Sequence, residues 1–421
     1  MITKPSLTVA SCHRLTRWAA AACLVILGVT AWPSPALAAD PPWWNCSWKC
    51  RKKLTFNNSA QAENLVNVPV LVVLNSSRID YSQTQNAGQD LRFIDADGTT
   101  LLAHEIEKWD ETGTSYVWVK VPQIDASSTT DYIWMYYCNA TAADGQNPTA
   151  VWSNGYVGVW HLNDPSNSTR QDSTANNNDL TDLNTVAAAA GKIGDAAQFV
   201  AANSEGLYRT DATQTGLDPT GNLTFSVWAN PTTIHLGVPL SKEESATVTG
   251  YRIRLNDSTV TFGCVVWNAT ASGSAGTTTT AVAGTWSHIT CVYDGSQVKN
   301  YLNGVNETSA NYSGGIGNST QDFQLGKRGT SQYFNGKVDE ARVENVARSA
   351  AWISAQHKSM TDVFITYGSV DELGVKYFSP DAAAAGMHVP MTFVGMFCQV
   401  PTVTTSSSDI VVGPSWAGRP A

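Results

Sequence analysis

Phe334-Asn335-Gly336-Lys337-Val338-Asp339-Glu340-Ala341-Arg342-Val343 reads as a β-strand, and the runs on either side of it are of the same kind. Upstream lie Phe323-Gln324-Leu325-Gly326, Val298-Lys299-Asn300-Tyr301-Leu302, Trp286-Ser287-His288-Ile289-Thr290-Cys291-Val292-Tyr293 and Val260-Thr261-Phe262-Gly263-Cys264-Val265-Val266-Trp267. Earlier still come Tyr251-Arg252-Ile253-Arg254-Leu255, Leu223-Thr224-Phe225-Ser226-Val227-Trp228, Gln198-Phe199-Val200 and Gly158-Val159-Trp160-His161-Leu162. β-branched and aromatic residues fill these runs and Gly/Asn turns divide them, the pattern of a β-sandwich. Asn303-Gly304 between two such runs predicts a hairpin turn. Ser349 to Lys358 is the one helical stretch, with Ser349 as its cap.

Residues 39–154 form a separate unit of the same character. Its strand-like runs are Lys52 to Asn58, Val66 to Leu74, Leu91 to Asp95, Tyr116 to Val121 and Tyr132 to Tyr137, with turns such as Asp95-Ala96-Asp97-Gly98 between them. The expected class is therefore all-β: an N-terminal β-sandwich over 39–154, then a second sandwich over 155–374. Val375 to Ala421 holds short strand-like runs at Val389 to Phe397 and Asp409 to Val412, too little to bury a core alone. That segment reads as a partial domain, a packed tail or a disordered one.

Residues 1–38 have the form of a secretory signal peptide. A basic segment ends in Arg14 and Arg17, an apolar run spans Ala19 to Trp32, and Ala36-Leu37-Ala38 precedes the expected cut at Ala39. The apolar run is short for a membrane span, and no later segment has the length and apolarity of one. Export to the periplasm, cell surface or medium is the expectation, with no stable membrane insertion after cleavage. The whole chain carries a net charge of −9, and the leader removes Lys4, Arg14 and Arg17 but no acid. An acidic chain without a Lys/Arg run is not built for nucleic acid or anionic lipid.

Six cysteines follow the leader: Cys46, Cys50, Cys138, Cys264, Cys291 and Cys398. Folding the Gly/Thr-rich loop between Cys264 and Cys291 about its middle would set these two opposite each other in an antiparallel ladder, at disulfide distance. Cys46 and Cys50 have no second Cys/His pair at zinc spacing.

At this point two families are recognisable. The second unit resembles a LamG-like jelly roll of the concanavalin A-like superfamily. The resemblance rests on Asp172-Ser173-Thr174-Ala175-Asn176-Asn177-Asn178-Asp179, Phe225-Ser226-Val227-Trp228-Ala229, Trp286-Ser287-His288-Ile289, Tyr301-Leu302-Asn303-Gly304 and Phe334 to Val343. The first unit resembles a bacterial envelope domain of unknown function through Gly88 to Phe93, Glu105-Ile106-Glu107-Lys108-Trp109, Val117 to Pro122, Tyr136-Tyr137-Cys138-Asn139 and the junction Gly158 to Leu162. That family carries tyrosine where Cys50 stands and glycine where Cys138 stands, which implies a bridge between them. Cys46 and Cys398 are then a third pair or free thiols.

The jelly-roll resemblance implies a structural calcium ion held by Asp172 and Asp339, with oxygens from Asn176 to Asn178 completing the shell. The competing reading has Asp172 organising an Asx-turn and Asp339 pairing with Arg342 or capping backbone. For a glycan, Trp267, Tyr312 and Tyr333, each near an Asn, supply stacking faces. Glu105 and Glu107 share a strand face, as a hydrolytic pair would. They belong to the first unit, however, and read as a solvated acidic face. His104, His161, His235 and His288 are scattered, and no Gly-x-Ser-x-Gly elbow or phosphate loop occurs. The expected function is non-enzymatic recognition of a glycan or cell-surface protein. An envelope scaffold and a glycan-active hydrolase are the alternatives.

Overall fold

Nine-residue and ten-residue strands that are largely buried on both faces dominate the interior, because two sandwiches share a buried layer. The computed structural model describes residues 40–244, 248–379 and 392–396. The leader and most of 375–421 lie outside the described residues, among them Cys398 and the run at Asp409 to Val412.

The first sandwich begins with β1 (Cys50–Phe56), β2 (Leu65–Leu74), β3 (Arg92–Asp95), β4 (Leu101–Leu102), β5 (His104–Lys108), β6 (Ser115–Ile124) and β7 (Tyr132–Tyr137). After the helical turn α1 (Pro148–Val151), the jelly roll runs through β8 (Tyr156–Trp160), β9 (Thr181–Leu183), β10 (Ala187–Ala190), β11 (Asp195–Phe199), β12 (Gly206–Arg209) and β13 (Leu223–Pro231). It continues with β14 (Gly237–Glu244), β15 (Thr249–Leu255), β16 (Phe262–Asn268), β17 (Ser272–Gly276), β18 (Ser287–Tyr293), β19 (Gln297–Leu302), β20 (Val305–Asn311), β21 (Phe323–Leu325) and β22 (Gly336–Glu344). Helix α2 (Ala350–Met360), β23 (Ile365–Glu372), β24 (Gly374–Ser379) and β25 (Thr392–Met396) follow.

In the first sandwich, a sheet in the order β23-β1-β7-β3-β4 faces a three-stranded sheet β2-β6-β5. In the jelly roll, an eight-stranded sheet β10-β11-β22-β13-β18-β19-β20, with β8 also on β22, faces a seven-stranded sheet β17-β16-β15-β14-β21-β12-β9. The strand register corrects the domain boundary expected at 374. β23 pairs with β1 from Cys50↔Glu372 to Phe56↔Ile365, so the chain returns after the jelly roll to complete the first sandwich. Ala351, Trp352 and Ala355 of α2 and Phe364 join the first core for the same reason. Both sandwiches belong to one compact unit.

The side-chain period of two explains how the domains meet. On β2, Val68, Val70, Val72 and Leu74 enter the first core. Leu71 and Val73 point the other way, into a layer with Trp118, Trp152, Tyr156, Val159, Trp228 and Met360. On β13, Phe225, Val227 and Ala229 fill the jelly-roll core, while Trp228 faces that shared layer. Ser349 caps α2 by accepting from the Trp352 backbone N–H, and the Ser359 hydroxyl of the same helix accepts from Leu71 N–H at 2.6 Å.

The Asn303-Gly304 turn has φ of 50° and 81°, the left-handed pair a two-residue hairpin turn requires. Two disulfides join Cys50 to Cys138 and Cys264 to Cys291. The second does not lie in a ladder, as the folded-loop argument had it. Cys264 is on β16 of the seven-stranded sheet and Cys291 on β18 of the eight-stranded one, so this bridge crosses the core between the sheets. Cys46 is disulfide-bonded as well.

His104 points into the first core, its ring 5.4 Å from Phe93, with no partner for either nitrogen among the described residues. Burial and then the Arg92 charge push its pKa down from 6.5 to about 4. A histidine depressed on folding leaves the unfolded chain binding more protons, so its contribution is lost as pH falls from 6.5 towards 4. Between pH 7 and 4, His104→Leu should therefore lose less thermal stability than wild type; parallel melting curves would contradict this.

Candidate functional site

Two places in the jelly roll gather polar side chains, one on its seven-stranded sheet and one buried against the first sandwich. Register places Thr181, Tyr208, Gln324, Ser241, Arg252, Val265 and Ser274 in one row across all seven strands of this sheet, its middle members buried. Their neighbours along the strands, Leu207, Leu325, Leu240, Ile253 and Cys264, fill the core, so the row lies on the outer face. Two residues along, Glu243, Gly250, Trp267 and Ser272 make a second row, and Arg254 stands opposite Gly263.

Glu243 is the electrostatic hub of this face. Its Oε1 accepts from Arg252 at 3.0 Å and from Arg328 at 2.6 Å. Burial raises the Glu243 pKa, and the charges of Arg252, Arg328 and Arg254 oppose that. Glu243 Oε2 and the Nε atoms of Arg252, Arg254 and Arg328 are buried without a hydrogen-bond partner among the described residues. A side-chain Cβ at Gly263 would come within 3.3 Å of Arg254 Nε, so the bare glycine gives that guanidinium its place. Groups of this kind cost about 1–3 kcal/mol each when left unpaired, and native proteins pair them with water or ligand.

The three expected stacking residues are distributed unevenly. Trp267 is half-buried on the outer face. Tyr312 is 8% exposed and packs in the core, its hydroxyl 3.2 and 3.0 Å from the carbonyls of Ala271 and Gly315. The same turn ties to Trp267 through Gly317 N–H on the Trp267 carbonyl and Asn268 on Gly314. Tyr333 is half-buried beside His235, which meets its carbonyl at 2.9 Å; no hydrogen bond or ring contact joins it to the other two. Tyr208, Arg252, Arg254 and Arg328 were not anticipated as site residues. The strict alternation Tyr251-Arg252-Ile253-Arg254-Leu255 is the signal that places both arginines on one face.

The second gathering corrects the expectation of a solvated acidic face at Glu105 and Glu107. They are 8% and 7% exposed, because the jelly roll covers the outer face of β5 and β6. Two bulges deliver the acids. On β5 the register slips between Ile106 and Lys108, making Glu107 the extra residue. On β22 it slips between Asp339 and Arg342, and Glu340 takes φ 49°. That extra residue reverses the alternation: Val338, Ala341 and Val343 stay in the core, while Asp339, Glu340 and Arg342 turn towards the first sandwich.

His161, at the exit of β8, stands between the acids. Its Nδ1 is 2.5 Å from Glu340 and 3.5 Å from Glu107 Oε2, and its Nε2 is 3.3 Å from Glu105. Burial acts to lower the His161 pKa, but Glu340, Glu105 and Glu107 hold it well above the usual value. Burial opposes ionisation of Glu340 as well, yet His161 and Arg342 keep that carboxyl down at about 2. His161 is thus an imidazolium between two carboxylates. Glu107 is pushed up to about 8 by burial and then by Glu340, and Asp339 is raised by burial and the same glutamate. Glu105 also accepts from Trp152 Nε1 and, at 2.6 Å, from the Ser173 hydroxyl. The Arg342 guanidinium lies 4.4 Å from the Trp118 ring centroid.

The two residues expected to hold calcium have other partners. Asp172 Oδ1 accepts from Val159 and Thr174 N–H, and Oδ2 from Asn178 N–H and the Thr174 hydroxyl. These four contacts are the Asx-type turn that the competing reading expected of Asp172. Asp339 Oδ2 accepts from Lys192 and Ile193 N–H, and its Oδ1 has no hydrogen-bond partner among the described residues. No helix among them is long and apolar enough to cross a membrane.

Residues 203–354 match the family of concanavalin A-like lectins and glucanases, and residues 87–176 match a domain of unknown function, DUF2341. The second match holds Glu105, Glu107 and His161 together. No match to a curated protein sequence was found. Among solved structures, domain 4 of AbnA, an extracellular arabinanase of Geobacillus stearothermophilus in complex with arabinotriose, is 22% identical, covering 48% of this chain and 98% of that one with a TM-score of 0.39. The binding domain of Paraclostridial Mosquitocidal Protein 1 is 16% identical over 49% of this chain and 52% of its own, with a TM-score of 0.40. A heptameric pentraxin of Limulus polyphemus is 18% identical over 33% and 70%, at 0.29.

Proposed function

We propose that this is an exported recognition protein, without catalytic activity, that binds a glycan on the outer face of the seven-stranded sheet. The observation that carries the reading is the gathering of polar and aromatic side chains there, with Tyr208, Arg254, Trp267 and Arg328 half-buried around the Glu243–Arg252 ion pair. A sugar presents hydroxyls as donors and acceptors at short spacing, and the half-buried rings of Trp267 and Tyr208 flank the same surface as stacking faces. The match to the concanavalin A-like lectin and glucanase superfamily supports glycan binding by the jelly roll in general. Disulfides and a leader-like N-terminus support export to an oxidising compartment. Against hydrolysis, Glu105, Glu107 and Glu340 are closed off between the sandwiches and cannot straddle a glycosidic bond.

A glycan array probed with the mature protein tests this. Binding to a defined glycan class is expected, with affinity reduced at least about tenfold in Arg254→Ala, as loss of one charged hydrogen bond predicts. Arg254 is chosen because it makes no ion pair with Glu243. Absence of binding across the array, or binding unchanged in Arg254→Ala and Trp267→Ala, would remove the proposal. Capture of protein but no glycan would favour a protein partner instead.

A further inference from the structure

The acids around His161 differ from the proposed glycan face in kind: they are buried and come from both sandwiches. Nδ1 of His161, one carboxylate oxygen of Glu107 and one of Glu340 all lie within 4.8 Å of one another. Each of these side chains is also gripped from behind. Glu105 meets His161 Nε2 at 3.3 Å, Trp118 Nε1 donates to Glu107 Oε2 at 2.7 Å, and Arg342 bonds the outer oxygen of Glu340. Metal-binding histidines and carboxylates are held in this way, the imidazole giving its second N–H to a carboxylate.

An independent observation points into the same place. Glu107 Oε1 and Asp339 Oδ1 are buried and have no hydrogen-bond partner among the described residues. Asp339 is wholly buried, follows Val338 out of the core at the β22 bulge, and is acted on electrostatically by both Glu340 and Glu107. The Gly191–Gly194 turn closes over both acids: a Cβ at Gly191 would fall 2.7 Å from Asp339 Oδ2, and one at Gly194 would fall 3.0 Å from Glu107 Oε1. Only glycine leaves the two carboxyl groups that room.

We infer that Glu107, His161 and Glu340 form a binding site for a first-row divalent cation, zinc being the best fit, which ties the two sandwiches together. The imidazole nitrogen separates this donor set from the all-oxygen shells of calcium and magnesium, and nitrogen plus carboxylate oxygen suits zinc. Because the site is enclosed, the ion is structural.

The full chain, stripped with a chelator and then dialysed against zinc chloride, is expected to retain one zinc per chain by elemental analysis. Its melting temperature should rise with zinc, since an ion bound only by the native state at about 100 times its Kd favours that state about 100-fold. Glu107→Gln keeps an acceptor for Trp118 and should lose zinc affinity by about tenfold to 100-fold. X-ray absorption of the zinc-loaded wild-type chain does not depend on any variant folding, and should show one imidazole among oxygen donors. Failure to retain zinc, retention undiminished in a folded Glu107→Gln, or a shell with sulfur or several imidazoles overturns the inference. So does a melting temperature raised by calcium but not by zinc, which would point back to Asp172 and Asp339.

Discussion

His161→Leu should lower the free energy of unfolding by about 3–5 kcal/mol, the loss typical of removing one partner from a buried ion pair. The size follows from what is left behind. Glu105 and Glu340 would keep their buried places between the sandwiches while losing the imidazolium that lies 3.3 Å from one and 2.5 Å from the other. Arg342 could compensate only Glu340, which it already bonds. Leucine approximates the lost volume, so the effect reports charge more than cavity. Equilibrium denaturation in urea measures it, and a loss below about 1 kcal/mol, the scale of an exposed pair, would mean that the interface is wet. A second substitution, Glu340→Leu, should restore part of the stability, because replacing a whole buried pair with apolar groups is far less costly than breaking it.

Replacing Cys50 and Cys138 together with alanine should cost about 4–5 kcal/mol by the loop-entropy argument, since the bridge spans a sequence separation of 88. The Cys264–Cys291 bridge closes 27 residues and should cost about 3–4 kcal/mol on the same basis. Both of its cysteines are fully buried in the jelly-roll core, so lost packing adds to the second figure. Denaturation of the two double variants beside wild type gives both numbers. If the 88-residue link proved much the cheaper, the unfolded chain would have to be held compact by something other than these bridges.

The strands were legible wherever a run alternated or was apolar throughout, as at Val66 to Leu74 and Leu223 to Trp228, and so were the Asn303-Gly304 turn and the Ser349 cap. Those signals are local. The pairing of Cys264 with Cys291 came through, but its geometry did not, because hairpin reasoning assumes one sheet and a jelly roll sends neighbouring runs to opposite sheets. The return of Ile365–Glu372 to β1 was hidden for a related reason: a strand's partner more than 300 positions away leaves no mark in its own composition. At the buried cluster, two residues carried a readable but unread sign. In Val338-Asp339-Glu340-Ala341-Arg342-Val343 the apolar positions skip a beat at Asp339-Glu340, which is what a bulge with an extra residue looks like. Glu105 and Glu107 alternate as a solvent face would, and only the second sandwich lying over them shows otherwise. Tyr312, beside Asn311 as a rim aromatic might be, is core, because the turn at Gly314 to Gly317 folds over it.

Hydrogen–deuterium exchange of the mature protein, with and without a glycan that the array identifies, tests the central claim most directly. The account predicts slowed exchange in β15 and β16, over Thr249–Leu255 and Phe262–Asn268, and in the Arg328 loop, with β13 and β18 on the covered sheet unchanged. Protection confined to the first sandwich, or to loops away from Arg252, Arg254 and Trp267, would contradict it.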